Sequence, residues 1–161
     1  QPTVLLSAAS GMSSSSSADA IQGILNQFNL SEDQAMHVAD TVEKLSSEIA
    51  LDFSKGCDTI SQSIATSGSV VNEAGMSFEK YAALVSTTAE KTRVSGSQIG
   101  NAFKTIFSRI SRSKDGLTTD AEMSDAEAAL KSVGVSVRRA DGDLRDISDT
   151  LDDLNKVCIM Q

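Results

Sequence analysis

Residues 95–110 read SGSQIGNAFKTIFSRI, and the placing of their apolar residues decides the class of fold. Ile99, Phe103, Ile106, Phe107 and Ile110 recur at intervals of three and four, the spacing that lines one face of an α-helix. Ser95 precedes the run with Gln98 three residues on, a spacing that lets two side chains satisfy the orphan amides of a helix start. No other apolar face in the chain is as regular. Phe103, Ile106, Phe107 and Ile110 are therefore the expected centre of the core.

The same grammar extends in both directions. Upstream, Ile21, Ile24, Leu25 and Phe28 share a face, and Asn29 is a suitable stop. Ser31 and Gln34 repeat the capping spacing, and an apolar stripe follows through Ala35, Val38, Val42, Leu45, Ile49 and Phe53. Lys55-Gly56 is expected to interrupt it. A weaker helix over 57–73 carries Cys57, Ile60, Ile64 and Val71, with small residues Ala65, Ser67 and Gly68 that permit close approach. Gly75 then ends one helix and Ser77 caps another, with Phe78, Tyr81, Val85 and Ala89 on one side. Downstream lie a polar loop over 113–121, a short helix started by Ser124 with Glu127 and ended by Gly134, and a last helix with Ile147, Leu151 and Leu154. Between those two helices the period changes. Val135 and Val137 alternate with Ser136 and Arg138, and Asp141-Gly142 is a hairpin-turn pair.

The expected fold is mainly α: a compact multi-helix domain over 18–157 with one short β-hairpin near 135–145. A flexible Ser-rich lead-in over 1–17 precedes it and a short tail, 158–161, follows. The first residue is Gln1 rather than Met, and the end comes just after a helical pattern, so the chain is expected to be a fragment or a processed product.

Composition sets further bounds. The chain has 161 residues, 40% of them hydrophobic but only 4% aromatic, with no Trp, so aliphatic side chains and Ala must fill the core. A net charge of −8 argues against a dedicated nucleic-acid binder and against docking on an anionic membrane. No apolar run approaches the roughly 18–20 residues of a membrane span. Cys57 and Cys158 have no metal-ligand spacing and make no disulfide framework.

Chemistry-bearing patterns are sparse. His37 is the single histidine, which excludes any site needing two, and it sits in an ordinary helical pattern, where a surface or interface role is favoured over catalysis. Between Lys91 and Lys114 there are six basic residues, including Lys104, Arg109 and Arg112, and no acidic one. Cations at a helix C-terminus explain Arg109 and Arg112, and a partner surface is the next reading. The acidic run Asp141, Asp143, Asp146, Asp149, Asp152 and Asp153 lacks the order of a calcium loop and reads as a solvated helix face. No phosphate-binding glycine loop is present. No catalytic, cofactor or metal residues are assigned.

Four stretches, taken together and in order, carry a resemblance. NLSEDQAMHVADTV from residue 29, AGMSFEKYAAL at 74–84, SGSQIGNAFKTIFSRI at 95–110 and VGVSVRRADGDLRDISDTLDDL at 133–154 resemble successive segments of the phage tail tape measure family, over roughly 20–157. That family often places a Trp soon after the last helix, where this chain reads Val157-Cys158-Ile159-Met160. The resemblance implies a structural role inside the tail tube, in tail assembly and tail length determination. It also implies a place in the virion tail, or in the bacterial cytoplasm during assembly. Expected partners are further copies of the chain and tail tube or tail tip proteins, with no nucleic acid and no membrane for this segment. Val42 and Val85 mark the two long stripes that a neighbouring copy could share, and Lys104, Arg109 and Arg112 mark a second candidate contact. The alternative is a helical interaction module or secreted helical protein that shares only helix-cap grammar. Caps and glycine stops every 15–25 residues imply a domain that folds back on itself, not a continuous measuring rod.

Overall fold

The computed structural model describes residues 2–3, 6–7, 13–48, 53–111, 125–143 and 145–159. Seven α-helices lie within the described residues: α1 Ser14–Phe28, α2 Ala35–Glu48, α3 Phe53–Glu73, α4 Phe78–Thr92, α5 Gly96–Ser111, α6 Asp125–Ser132 and α7 Ile147–Ile159. The chain is mainly helical, as its periodicity implies.

Local signals account for most helix ends. Asn29 adopts the left-handed conformation after α1 (φ 52°), and the Leu30 amide donates to the Leu25 carbonyl at 2.9 Å. The Ser31 amide donates to Gln34 Oε1 at 3.1 Å in the single 3₁₀ turn that leads into α2. Ser77 Oγ accepts from the Lys80 amide at the start of α4. At α5, the Ser95 amide donates to Gln98 Oε1 at 3.1 Å, and the Gln98 amide returns to Ser95 Oγ at 3.4 Å.

The hub of the bundle is α3, which packs on α1, α2, α4 and α5. Cys57, Ile60, Ile64 and Val71 are buried, and so are Thr59, Ser63 and Ser67 on other sides of the same helix. Glycines bring the neighbouring helices close. A Cβ at Gly96 of α5 would collide with the Thr59 carbonyl of α3, and one at Gly100 would lie 2.7 Å from Thr66 Cβ and 2.8 Å from the Ser63 carbonyl oxygen. Gly56 of α3 makes the same kind of approach to Ser46 of α2. Around this axis an aromatic cluster closes the core. Tyr81 meets Phe103 edge-on at 5.7 Å between ring centroids, Phe103 stacks on Phe107 at 5.9 Å, and Phe28 meets Phe78 edge-on at 5.8 Å.

Several expectations are corrected here. Lys55-Gly56 does not break a helix; it lies in the first turn of α3, where Gly56 is a contact point, and Phe53 begins α3 instead of ending the α2 stripe. Ile49 and the loop over 113–121 lie outside the described residues, as does Ser124. The Ser-rich segment is not all lead-in. Ser13 caps α1 by accepting from the Ser16 amide at 3.1 Å, Ser14–Ser17 form its first turn, and Ser17 is buried. Leu6 is buried in the main core.

The β-hairpin near 135–145 is not formed: no strand occurs among the described residues. The chain does reverse there. The Arg139 amide donates to the Asp143 carbonyl at 2.8 Å, and the Arg145 amide to the Val137 carbonyl at 2.9 Å. The Asp143 amide, which a continued ladder would aim at the Arg139 carbonyl, donates instead to Asp141 Oδ1 at 3.1 Å, and side chains take up the outward-facing carbonyls. Arg145 Nη1 donates to the Ser136 carbonyl, Arg138 Nη1 to the Gly142 carbonyl and Ser136 Oγ to the Arg138 carbonyl. A lone two-stranded ribbon is marginal in water without further strands or a packed face, so these local bonds win.

The expected core centre is also displaced. Phe107 is 1% exposed and Phe103 packs partly buried against the core, but Ile106 on the same helix is 46% exposed. The side chain of Ile110 lies outside the description. The centre is α3, whose small polar residues weaken its apparent amphipathicity.

Candidate functional site

The expected interaction residues separate into buried and exposed groups. Val42 of α2 and Val85 of α4 are both completely buried in the core of a single chain. Val38 of the first stripe, and Phe78, Tyr81 and Ala89 of the second, are likewise buried within the chain. The Lys104 side chain is exposed on α5. The Arg109 side chain and all of Arg112 lie outside the description.

His37 is an interhelix contact. Its Nε2 stands 2.7 Å from Glu79 Oε1, joining α2 to the first turn of α4, with both side chains about half exposed. Burial pushes the Glu79 carboxyl up, but the hydrogen bonds from His37, its own backbone amide and Ser77 together hold it below the usual range. The contact is a tie between two helices at the surface.

The densest buried polar group is Tyr81 with Ser63 and Ser67. Ser63 Oγ is 3.0 Å from the phenol oxygen, and Ser67 Oγ is hydrogen-bonded to the same oxygen. Ser67 Oγ is also 2.9 Å from the Ser63 carbonyl. Burial raises the phenol pKa, against the two serine bonds, which lower it. This cluster binds α3 to α4 and has no acid or base that would make it reactive. Cys57 is a free, buried thiol whose pKa is likewise raised by burial foremost.

A second set of polar contacts ties the C-terminal elements together. Glu127 of α6 is buried and accepts from Arg138 Nε at 3.1 Å. Arg145 Nη2 donates to Asp153 Oδ2 at 2.8 Å, and Lys156 Nζ stands 3.0 Å from the other oxygen of that carboxylate. Those two cations hold the Asp153 carboxyl below its usual range. Asp146 caps α7, its Oδ1 accepting from the Ser148 amide at 2.8 Å. The acidic run is thus partly structural: Asp146 and Asp153 are engaged within the fold, while Asp149 and Asp152 are exposed. Lys80 of α4 stands 4.0 Å from Asp146 Oδ2.

Two clefts flank these contacts. One is lined by Glu127, Lys131 and residues 134–139; the other lies between Glu73, Ala74 and Gly75 of the α3–α4 turn and Arg139, Asp143, Arg145 and Asp146. Both have mixed charge and neither contains a nucleophile–base pair. Among the described residues no group of three or more His, Cys, Asp or Glu could hold a metal ion, and no helix is long and apolar enough to cross a membrane. Sequence reasoning missed the glycine contact face of α5, the Tyr81 cluster and the Glu127–Arg138 pair. The first had a signal: Gly96 and Gly100 share a helix face, as do Thr59, Ser63 and Ser67 at four-residue spacing.

No reactive constellation occurs among the described residues, and relatives carry the functional information. The chain is 28% identical over 127 residues to a probable tape measure protein of Escherichia phage P2. That alignment takes in 79% of this chain but only 14% of the relative's length. No solved structure matches. The sequence profile of the family described as phage-related minor tail protein matches residues 1–158, nearly the whole chain, and the chain belongs to that family.

Proposed function

We propose that this chain is a structural segment of a tape measure protein, working inside the tail tube in tail assembly and in setting tail length, with tail tube or tail tip proteins as its partners. The observation that carries the reading is the family match over residues 1–158, supported by the alignment to the phage P2 protein. A place in the virion tail agrees with it, and no catalytic step is assigned.

The bundle refines the role. As one continuous helix, 161 residues would span about 240 Å, whereas α3, at 21 residues, reaches about 32 Å. The segment therefore contributes a folded module to the ruler rather than extended length. In-frame deletion of this segment from the parent gene, with tails imaged by electron microscopy, tests both points. Loss of tails, or tails altered by far less than about 240 Å, is the expected result. Shortening close to that figure would make the segment part of the measuring rod, and normal tails at normal yield would remove it from assembly altogether.

A further inference from the structure

We propose that residues 125–159 form a strap that opens from the helical bundle as one unit, at lower free energy than the bundle itself and with a salt dependence the bundle lacks. Three observations lead there. First, Val135 and Val137 are buried, yet they are not part of the continuous core formed by α1 to α5. Second, two arginines tie the strap to itself. Arg138 joins the chain reversal to Glu127 of α6 through an ion pair with little exposure, and Arg145 joins the Ser136 carbonyl to Asp153 of α7. Third, the attachment to the bundle is looser and wetter. Among the described residues α7 packs extensively on no other helix, α6 included, and α6 meets α5 lightly. The ion pair that crosses, Lys80 to Asp146, is 4.0 Å long with the lysine more than half exposed, and the cleft at the junction is lined largely by charged groups.

The balance of these contacts sets the order of opening. The bundle is held by buried aromatic and aliphatic packing, which salt does not screen. The junction is held largely by half-exposed charges, which are screened over a Debye length of about 3 Å at 1 M salt. A segment with few buried apolar contacts belongs to the low end of the local-stability range. Opening uncovers the α3–α4 turn at Glu73 to Gly75, which faces the reversal across the cleft.

Hydrogen exchange of the intact chain, read by mass spectrometry, tests the proposal. Peptides covering 125–132 and 147–159 should exchange together and faster than those covering 53–73 and 78–92. Raising salt from about 0.05 M to about 1 M should speed the first pair by roughly two- to fivefold, the size expected for screening one exposed charge contact, and the second pair less than about 1.5-fold. Lys80→Glu should produce the fast exchange already at low salt, with circular dichroism verifying that the bundle stays folded. One common rate for all four segments would overturn the proposal. So would a salt effect equal in strap and bundle, or a Lys80→Glu chain whose strap exchanges like the parent.

Discussion

Alanine at Gly100 should weaken the fold, and alanine at Gly23 should strengthen it, although both replace a glycine inside a helix. On an exposed helix, Gly→Ala gains about 1 kcal/mol from the smaller loss of backbone freedom. At Gly23 of α1 nothing lies within 4 Å of the added methyl, so the gain should survive, at about 0.5–1 kcal/mol. At Gly100 the methyl would stand 2.7 Å from Thr66 Cβ, 2.8 Å from the Ser63 carbonyl oxygen and 3.1 Å from Ser63 Cα. Two of those atoms are backbone of the hub helix, so relief requires α5 to move away from α3. Overpacking of this kind costs roughly 1–3 kcal/mol, which outweighs the propensity gain in most of its range. The net expectation is a loss of up to about 2 kcal/mol, or a fall in Tm of up to about 8 °C for a chain of this size. Urea denaturation followed by helix circular dichroism, on both variants beside the parent, measures the contrast. Equal stabilisation by the two alanines would refute the close α3–α5 contact on which the core rests.

Three further outcomes are expected. Phe107→Ala should cost about 3–5 kcal/mol, while Ile106→Ala, one residue away but 46% exposed, should change urea stability by no more than about 0.5 kcal/mol; comparable losses would place both in the core. Val42→Asp and Val85→Asp each place a carboxylate at a fully buried site and should cost roughly 4 kcal/mol or more, so circular dichroism should show an unfolded or nearly unfolded chain; a folded, fully helical variant would mean that the stripe faces solvent or another chain. Tyr81→Phe should cost about 1–3 kcal/mol, because Ser63 and Ser67 lose a shared buried partner. The phenol pKa is raised in the fold, so stability is full below about pH 10 and falls above it, where the unfolded chain ionises first; urea midpoints taken through that range should drop less for Tyr81→Phe than for the parent.

The helices and many of their ends were legible from residue order alone. Ser31 with Gln34, Ser77, and Ser95 with Gln98 act through neighbours three residues away, and Asn29, Gly75 and Gly134 act through their own backbone angles, so no distant partner is needed to read them. The family resemblance was legible too, because it rests on ordered segments of sequence. What tertiary structure decided was which helix is central. α3 looked weak because Gly56, Thr59, Ser63, Ser67 and Gly68 carry little hydrophobic signal, yet their small volume is what lets other helices approach its backbone. α5 looked dominant because its apolar spacing is regular, but periodicity cannot say how wide a face the neighbours cover, and Ile106 falls outside it. The same holds for the alternating stretch at 135–145. Its pattern permits strand pairing, but the Asp143 amide bonds to Asp141 Oδ1 instead of the Arg139 carbonyl, while Arg138 and Arg145 tie the segment to carboxylates on α6 and α7, contacts that exist only once those helices are in place.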